Sequence, residues 1–226
     1  MRLYHVSYVA SHDQVSDVVN RIGSQIGTAF VDGGIHPKFG TRNFTAPLLN
    51  GQYIEIVCPL DHPATDATPF GQAVKKKAAA GGGWLSWILA IKEIAKIEKR
   101  LGRSSILGSR KKPDGSELNW KQIGVLGTLE DAQLPFFIEW ISSSHPSTDG
   151  VAIAKITKIQ IVGSTEKITS WTDNPDLVGA LGSCELKVEK NPNEINGIVS
   201  VQFDLKGQTI SILYRDIKAD SNCLFN

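Results

Sequence analysis

The chain has 226 residues, 41% of them hydrophobic and 21% charged, with a formal net charge of +1. That length holds one large or two modest domains with ample core, and the near-neutral balance gives no reason to expect a nucleic acid or anionic membrane as partner. No apolar run approaches the ~20 residues that span a bilayer.

From the N-terminus, Leu3 to Ala10 reads as a strand rich in Val and Tyr. The opening Met1-Arg-Leu-Tyr-His5 carries no apolar leader. Val15, Val18, Val19 and Ile22 then fall at helical intervals behind Asp13 as cap. Gly27 to Val31 is a second strand, followed by a Gly-rich loop from Asp32 to Gly40 that carries His36. Phe44–Leu49 and Tyr53–Val57 pair as a hairpin about Asn50-Gly51. A polar connector from Pro59 to Pro69 and a short helix over Phe70–Ala80 end at Gly81-Gly-Gly83.

A second pass begins at Trp84. Its helix spans about Lys92 to Arg100, with Ile91, Ile94, Ile97 and Leu101 as the buried stripe. Ser109 to Gly115 is a basic, turn-rich segment, and Leu118–Gly124 and Leu134–Trp140 are strands. After a linker over Ser142–Gly150 comes a third set: strand Ile153–Val162, helix Ser164–Trp171, a turn or second helix over Asn174–Leu181, and strands Cys184–Val188, Ile198–Phe203 and Thr209–Leu213. A turn is expected over Asn191–Gly197. The three cysteines, Cys58, Cys184 and Cys223, lack metal-ligand spacing and fit reduced thiols in a cytoplasmic protein.

The first two passes are copies of one another. His5-Val-Ser-Tyr8 is echoed by Trp84-Leu-Ser-Trp87, and a glycine follows eighteen residues after each start, at Gly23 and Gly102. Each copy closes on a strand with a glutamate, Tyr53-Ile-Glu55 and Phe136-Phe-Ile-Glu139-Trp140. Such duplication places a site between the halves.

Four stretches carry a family resemblance: His5-Val-Ser-Tyr8; Gly34-Ile-His36-Pro-Lys-Phe-Gly40-Thr41-Arg-Asn43; Tyr53-Ile-Glu55; and Pro113-Asp-Gly115 with Leu134–Trp140. Together they resemble the glyoxalase-like branch of the vicinal oxygen chelate superfamily, over residues 1–141. The resemblance implies an α+β protein of paired βαβββ modules, residues 1–58 and 84–141 joined by 59–83, curling into a cupped half-barrel. Residues 151–226 form a third, degenerate βαβββ-like module without His or Glu at the matched places, expected to cover a sheet edge or mediate a homodimer.

The superfamily's metal set carries over to His5, Glu55 and Glu139, while Trp84 stands where a second His is expected and its indole cannot ligate. Three readings stay open. His5, Glu55 and Glu139 hold one divalent ion, with His36 as a further donor; or the cup binds an organic ligand without metal, Trp84 serving as a stacking wall; or His5 is bonded at a strand end and both glutamates are solvated. His36 is either a surface turn residue or a rim group that contacts substrate and moves a proton, with Glu139 as a second catalytic candidate. Thr41 and Asn43 offer neutral polar contacts, and Arg42 is an anion clamp or a solvated side chain. Trp120 and Trp140 are core or cup wall. The runs Arg110-Lys-Lys112 and Lys75-Lys-Lys77 read as wet surface. The expected function is that of a glyoxalase-like enzyme on a small oxygenated metabolite, the rival being a metal-free small-molecule binding protein.

Overall fold

The computed structural model describes residues 1–177, 181–191 and 195–214. Cys223 and parts of the expected turns over 174–181 and 191–197 lie outside them. The first unit runs β1 (Arg2–Val9), α1 (Val15–Ile26), β2 (Val31–His36), β3 (Thr41–Leu48) and β4 (Gln52–Pro59). Two helices, α2 (Pro63–Ala67) and α3 (Pro69–Ala79), lead into the second unit: β5 (Gly83–Ala90), α4 (Ile94–Leu101), β6 (Ile106–Lys111), β7 (Glu117–Ile123), α5 (Val125–Glu130) and β8 (Phe136–Trp140). The third unit is β9 (Ala154–Val162), α6 (Thr165–Thr172), β10 (Glu185–Glu189), β11 (Gly197–Leu205) and β12 (Gln208–Leu213).

Local chemistry accounts for the matched helices. In α1 the buried Val15, Val18, Ile22 and Ile26 recur at three- and four-residue steps, and Gly27 ends the helix at φ 66°. In α4 Ile94 and Ile97 are buried and Gly102 repeats that ending at φ 63°. The hairpin between β3 and β4 turns through Leu49–Gly51, with Leu48 paired to Gln52 and both Asn50 and Gly51 at positive φ, the conformation that asparagine and glycine tolerate best.

The eight strands of the first two units form a closed barrel in the order β1-β4-β3-β2-β6-β7-β8-β5. Each unit supplies four consecutive strands, so the paired modules implied by the family resemblance close upon one another. One seam is the long antiparallel pairing of β1 with β5; the other is short, with Ile35 opposite Lys111 between β2 and β6.

A closed barrel has no free edge for a third module to cover. The third sheet instead packs on the outer face of the barrel, with β11 against β5. There Val6, Tyr8, Trp84 and Trp87 share one core with Ile159, Val201 and Phe203. The third unit keeps the βαβββ order of elements but not the order in the sheet, which is β10-β9-β11-β12. Its β9 is central, parallel to β10 and antiparallel to β11, whereas the helix of the first unit carries the chain from β1 to the far strand β2.

Candidate functional site

Inside the barrel lies a hollow lined by His5, His36, Asn43, Glu55 and Arg110 on its polar side. Phe39, Phe70, Trp120, Phe136 and Trp140 make the apolar wall. Strand alternation puts His5 and Ser7 on the inner face of β1, and Tyr53 and Glu55 on that of β4. The parallel register sets Ser7 beside Glu55 and His5 beside Tyr53.

Glu55 is 5% exposed and its carboxylate is well held. Ser7 Oγ donates to Oε2 at 2.6 Å and Asn43 Nδ2 donates to Oε1 at 2.7 Å. His5 Nε2 stands 3.7 Å from Oε2. Burial alone would push this carboxyl up; the adjacent His5, then the charge of His36 and the bond from Ser7, outweigh it and bring it down to about 2. Glu55 is therefore ionised at neutral pH. The His5 imidazole lies flat on Tyr53, ring centres 4.3 Å apart. Its burial disfavours the charged form more than Glu55 favours it, so it is held below its usual range. Its Nδ1 is buried with no hydrogen-bond partner among the described residues.

The polar chain continues from Glu55 through Asn43 to Arg110, whose Nη1 donates to Asn43 Oδ1 at 3.4 Å. Arg110 is 2% exposed. Gly33 leaves room for this contact: a Cβ there would come within 2.2 Å of Asn43 Oδ1 and 2.7 Å of Arg110 Nη1. His36 is buried too, its Nδ1 2.9 Å from Thr41 Oγ1. Burial, only partly countered by Glu55 and reinforced by the charges of Arg110 and His5, lowers it to about 4. Trp120 and Trp140 stack in parallel, 5.6 Å apart, and Trp120 meets His36 edge-on at 5.7 Å.

His5, His36, Asn43, Glu55, Trp120 and Trp140 are thus brought together, with Thr41 behind His36. Three sequence candidates lie elsewhere. On β8 the inner positions are Phe136, Ile138 and Trp140, so alternation turns Glu139 to the other face, opposite Lys121. The run Phe136-Phe-Ile-Glu-Trp is too apolar throughout for its pattern to fix which residues face in. Trp84 leaves the hollow because β5 has an extra residue: Ser86 pairs with Ser7 and Trp84 with the next residue, Tyr8, which leaves Leu85 as a bulge. Its indole packs on the third sheet and donates to the Ile212 carbonyl at 3.0 Å. Arg42 is ion-paired with Asp32 and lies over the Phe44 ring, in a separate outer cleft.

Two segments also change character. His36 is not on a loop rim: Val31–His36 is strand β2, with a register shift between Asp32 and Gly34 that absorbs the glycines. Arg110 and Lys111 belong to β6, not to a turn. The buried Arg110 lines the hollow, although its sequence context reads as wet surface. Its signal is the register, since Gly108 faces Trp120 and Arg110 is the next residue on the same side; the basic run and Pro113-Asp-Gly115 concealed it.

A divalent metal does not fit these donors. Among the described residues no three of His, Cys, Asp and Glu gather into a group able to hold one, and Glu139 of the expected set lies opposite Lys121, away from the hollow. A protein-family model described as a glyoxalase-like domain matches residues 3–174. The chain belongs to that family. The glyoxalase-like match runs beyond the second unit to include β9 and α6. Among solved structures, a hypothetical protein from Staphylococcus aureus is 18% identical at a TM-score of 0.57, covering 93% of this chain and 85% of its own, which shows the shared fold. Methylmalonyl-CoA epimerase from Mycobacterium tuberculosis is 15% identical at a TM-score of 0.41, covering 62% and 89%. No curated protein matches the chain in sequence.

Proposed function

We propose that this glyoxalase-like protein is an enzyme that moves a proton on a small oxygenated metabolite held in the barrel hollow. The observation that carries the proposal is the His5–Glu55 pair: a neutral imidazole facing an ionised carboxylate on one nitrogen and carrying no partner on the other. With the proton on Nε2 toward Glu55, Nδ1 is the acceptor. It takes the proton of a C–H bond beside a carbonyl; the bonding electrons pass into the enolate, and the imidazolium returns the proton. Glu55 is a positioning residue that stabilises the imidazolium, fixed by Ser7 and Asn43. In this reading the His36 imidazole, neutral at pH 7, contacts substrate rather than carrying charge.

The test is exchange in deuterated water of small ketones, aldehydes and 2-oxo acids, followed by proton NMR. Wild-type protein exchanges the hydrogen beside the carbonyl of at least one compound, and His5→Gln slows this by about 10²–10⁴, the usual worth of a general base. Retained binding with no exchange by any member of the set would support the second reading, a binding protein without turnover. The parallel Trp120–Trp140 stack favours that alternative, since it already offers a flat wall to an unsaturated ligand.

A further inference from the structure

We infer that the ligand of the barrel hollow is a small carboxylate, which Arg110 receives in place of Asp149. The inference rests on the hollow being a ligand site, as proposed above. A guanidinium offers five N–H donors and no acceptor. Among the described residues, only Nη1 of Arg110 reaches a hydrogen-bond acceptor, Asn43 Oδ1; Nε and Nη2 are buried without one. Those two nitrogens form one edge of the guanidinium, the edge that takes both oxygens of a carboxylate side by side.

Asp149 supplies only part of what this edge requires. Its Oδ2 lies 3.8 Å from Arg110 Nη2, an ion pair without a hydrogen bond, and that oxygen is itself buried without a partner. The other oxygen accepts from Lys112 Nζ at 3.0 Å. Asp149 sits at the end of a strap, residues 142–150, whose Pro146 lines the hollow and whose His145 stands edge-on to Tyr4 at 4.9 Å. A buried charge is stabilised by short, well-aimed bonds, and this pair makes none. A ligand carboxylate on the Nε–Nη2 edge supplies them, leaving Asp149 to Lys112 alone. The aromatic wall then faces the body of the ligand, which favours small, flat acids over bulky ones.

Titration calorimetry with acetate, pyruvate and benzoate, each against its neutral amide and against inorganic phosphate, tests this. At least one acid is expected to bind ten-fold or more tightly than its amide and than phosphate. Arg110→Met removes that preference, and Asp149→Asn tightens the acid several-fold by removing its competitor. Amides that bind as well as the acids would overturn the inference while leaving the hollow a ligand site, and phosphate binding tightest would overturn the carboxylate assignment. Acids and amides all failing to bind would also overturn it, whereas the exchange experiment judges the His5–Glu55 pair independently. Should Arg110→Met not fold, Asp149→Asn decides, because it changes a partly exposed strap residue; unchanged affinity there would refute the competition.

Discussion

His36 and Glu55 make the protein's stability depend on pH in one direction. The His36 folded value of about 4 lies below its ordinary 6.5, so on acidification the unfolded chain takes up its proton first. Its contribution is complete above 6.5 and is lost as pH falls through 4, a difference of roughly 3 kcal/mol for a fully buried group. Glu55 behaves alike lower down: depressed from 4.5 to about 2, it contributes fully above 4.5 and loses that contribution toward 2. Denaturant titrations should therefore show stability falling continuously from pH 6.5 downward. His36→Asn should flatten the limb between 6.5 and 4 by up to one proton in slope; an unchanged slope would place that titration on other groups, of which His145, lowered to about 4 chiefly by burial, is the first to examine. A second residue-scale prediction concerns Gly33. Alanine there drives a methyl into Asn43 and Arg110, an overpacking that costs ~1–3 kcal/mol. Chemical denaturation should register that loss, and calorimetry a weakened ligand.

At the scale of elements, a single bulge decides what Trp84 does. Because Leu85 is the extra residue of β5, Trp84 belongs to the joint between barrel and third sheet. Trp84→Phe should cost ~1–3 kcal/mol, the price of leaving the buried Ile212 carbonyl without its donor. It should leave ligand affinity unchanged, whereas Trp120→Ala should weaken binding. The opposite pattern would return Trp84 to the site. The same bulge explains how much was legible beforehand. Helix α4 was readable from its apolar spacing and closing Gly102, α1 from its apolar spacing alone, since Gly23 lies within it and Gly27 ends it, and the β3–β4 hairpin from Asn50-Gly51. His5 and Glu55 were readable because β1 and β4 keep an unbroken register over His5–Val9 and Tyr53–Val57, and Asn43 because it closes the polar run Thr41-Arg-Asn43. Trp84 and Glu139 were not, since a bulge or an unbroken apolar run hides which way a strand faces. Arg110 was hidden for a different reason: a charged run beside a turn ordinarily seeks water, and only the cross-strand register with Trp120 brings it inside.

For the whole molecule, duplication explains the barrel but not the third unit. Two copies of four strands close on themselves, so the inner polar chain from His5 to Arg110 draws on both halves and needs nothing more to be complete. The third sheet acts from outside, covering the seam where β1 and β5 meet. That seam presents Val6, Tyr8, Trp84 and Trp87, each at most 1% exposed in the intact fold. Fully burying large apolar side chains of this kind is worth about 1.5–3 kcal/mol each, a sum comparable to the entire net stability of an ordinary domain. A chain ending at residue 150 would keep every residue of the hollow while laying this face open. It should consequently aggregate or populate a loosened state, visible by light scattering and by loss of near-ultraviolet circular dichroism. Adding residues 151–226 as a separate chain should restore both signals if the joint forms by docking. A truncated barrel that stays monomeric, cooperative in unfolding and unchanged in ligand affinity would show instead that the third unit is dispensable to the fold and carries a role of its own.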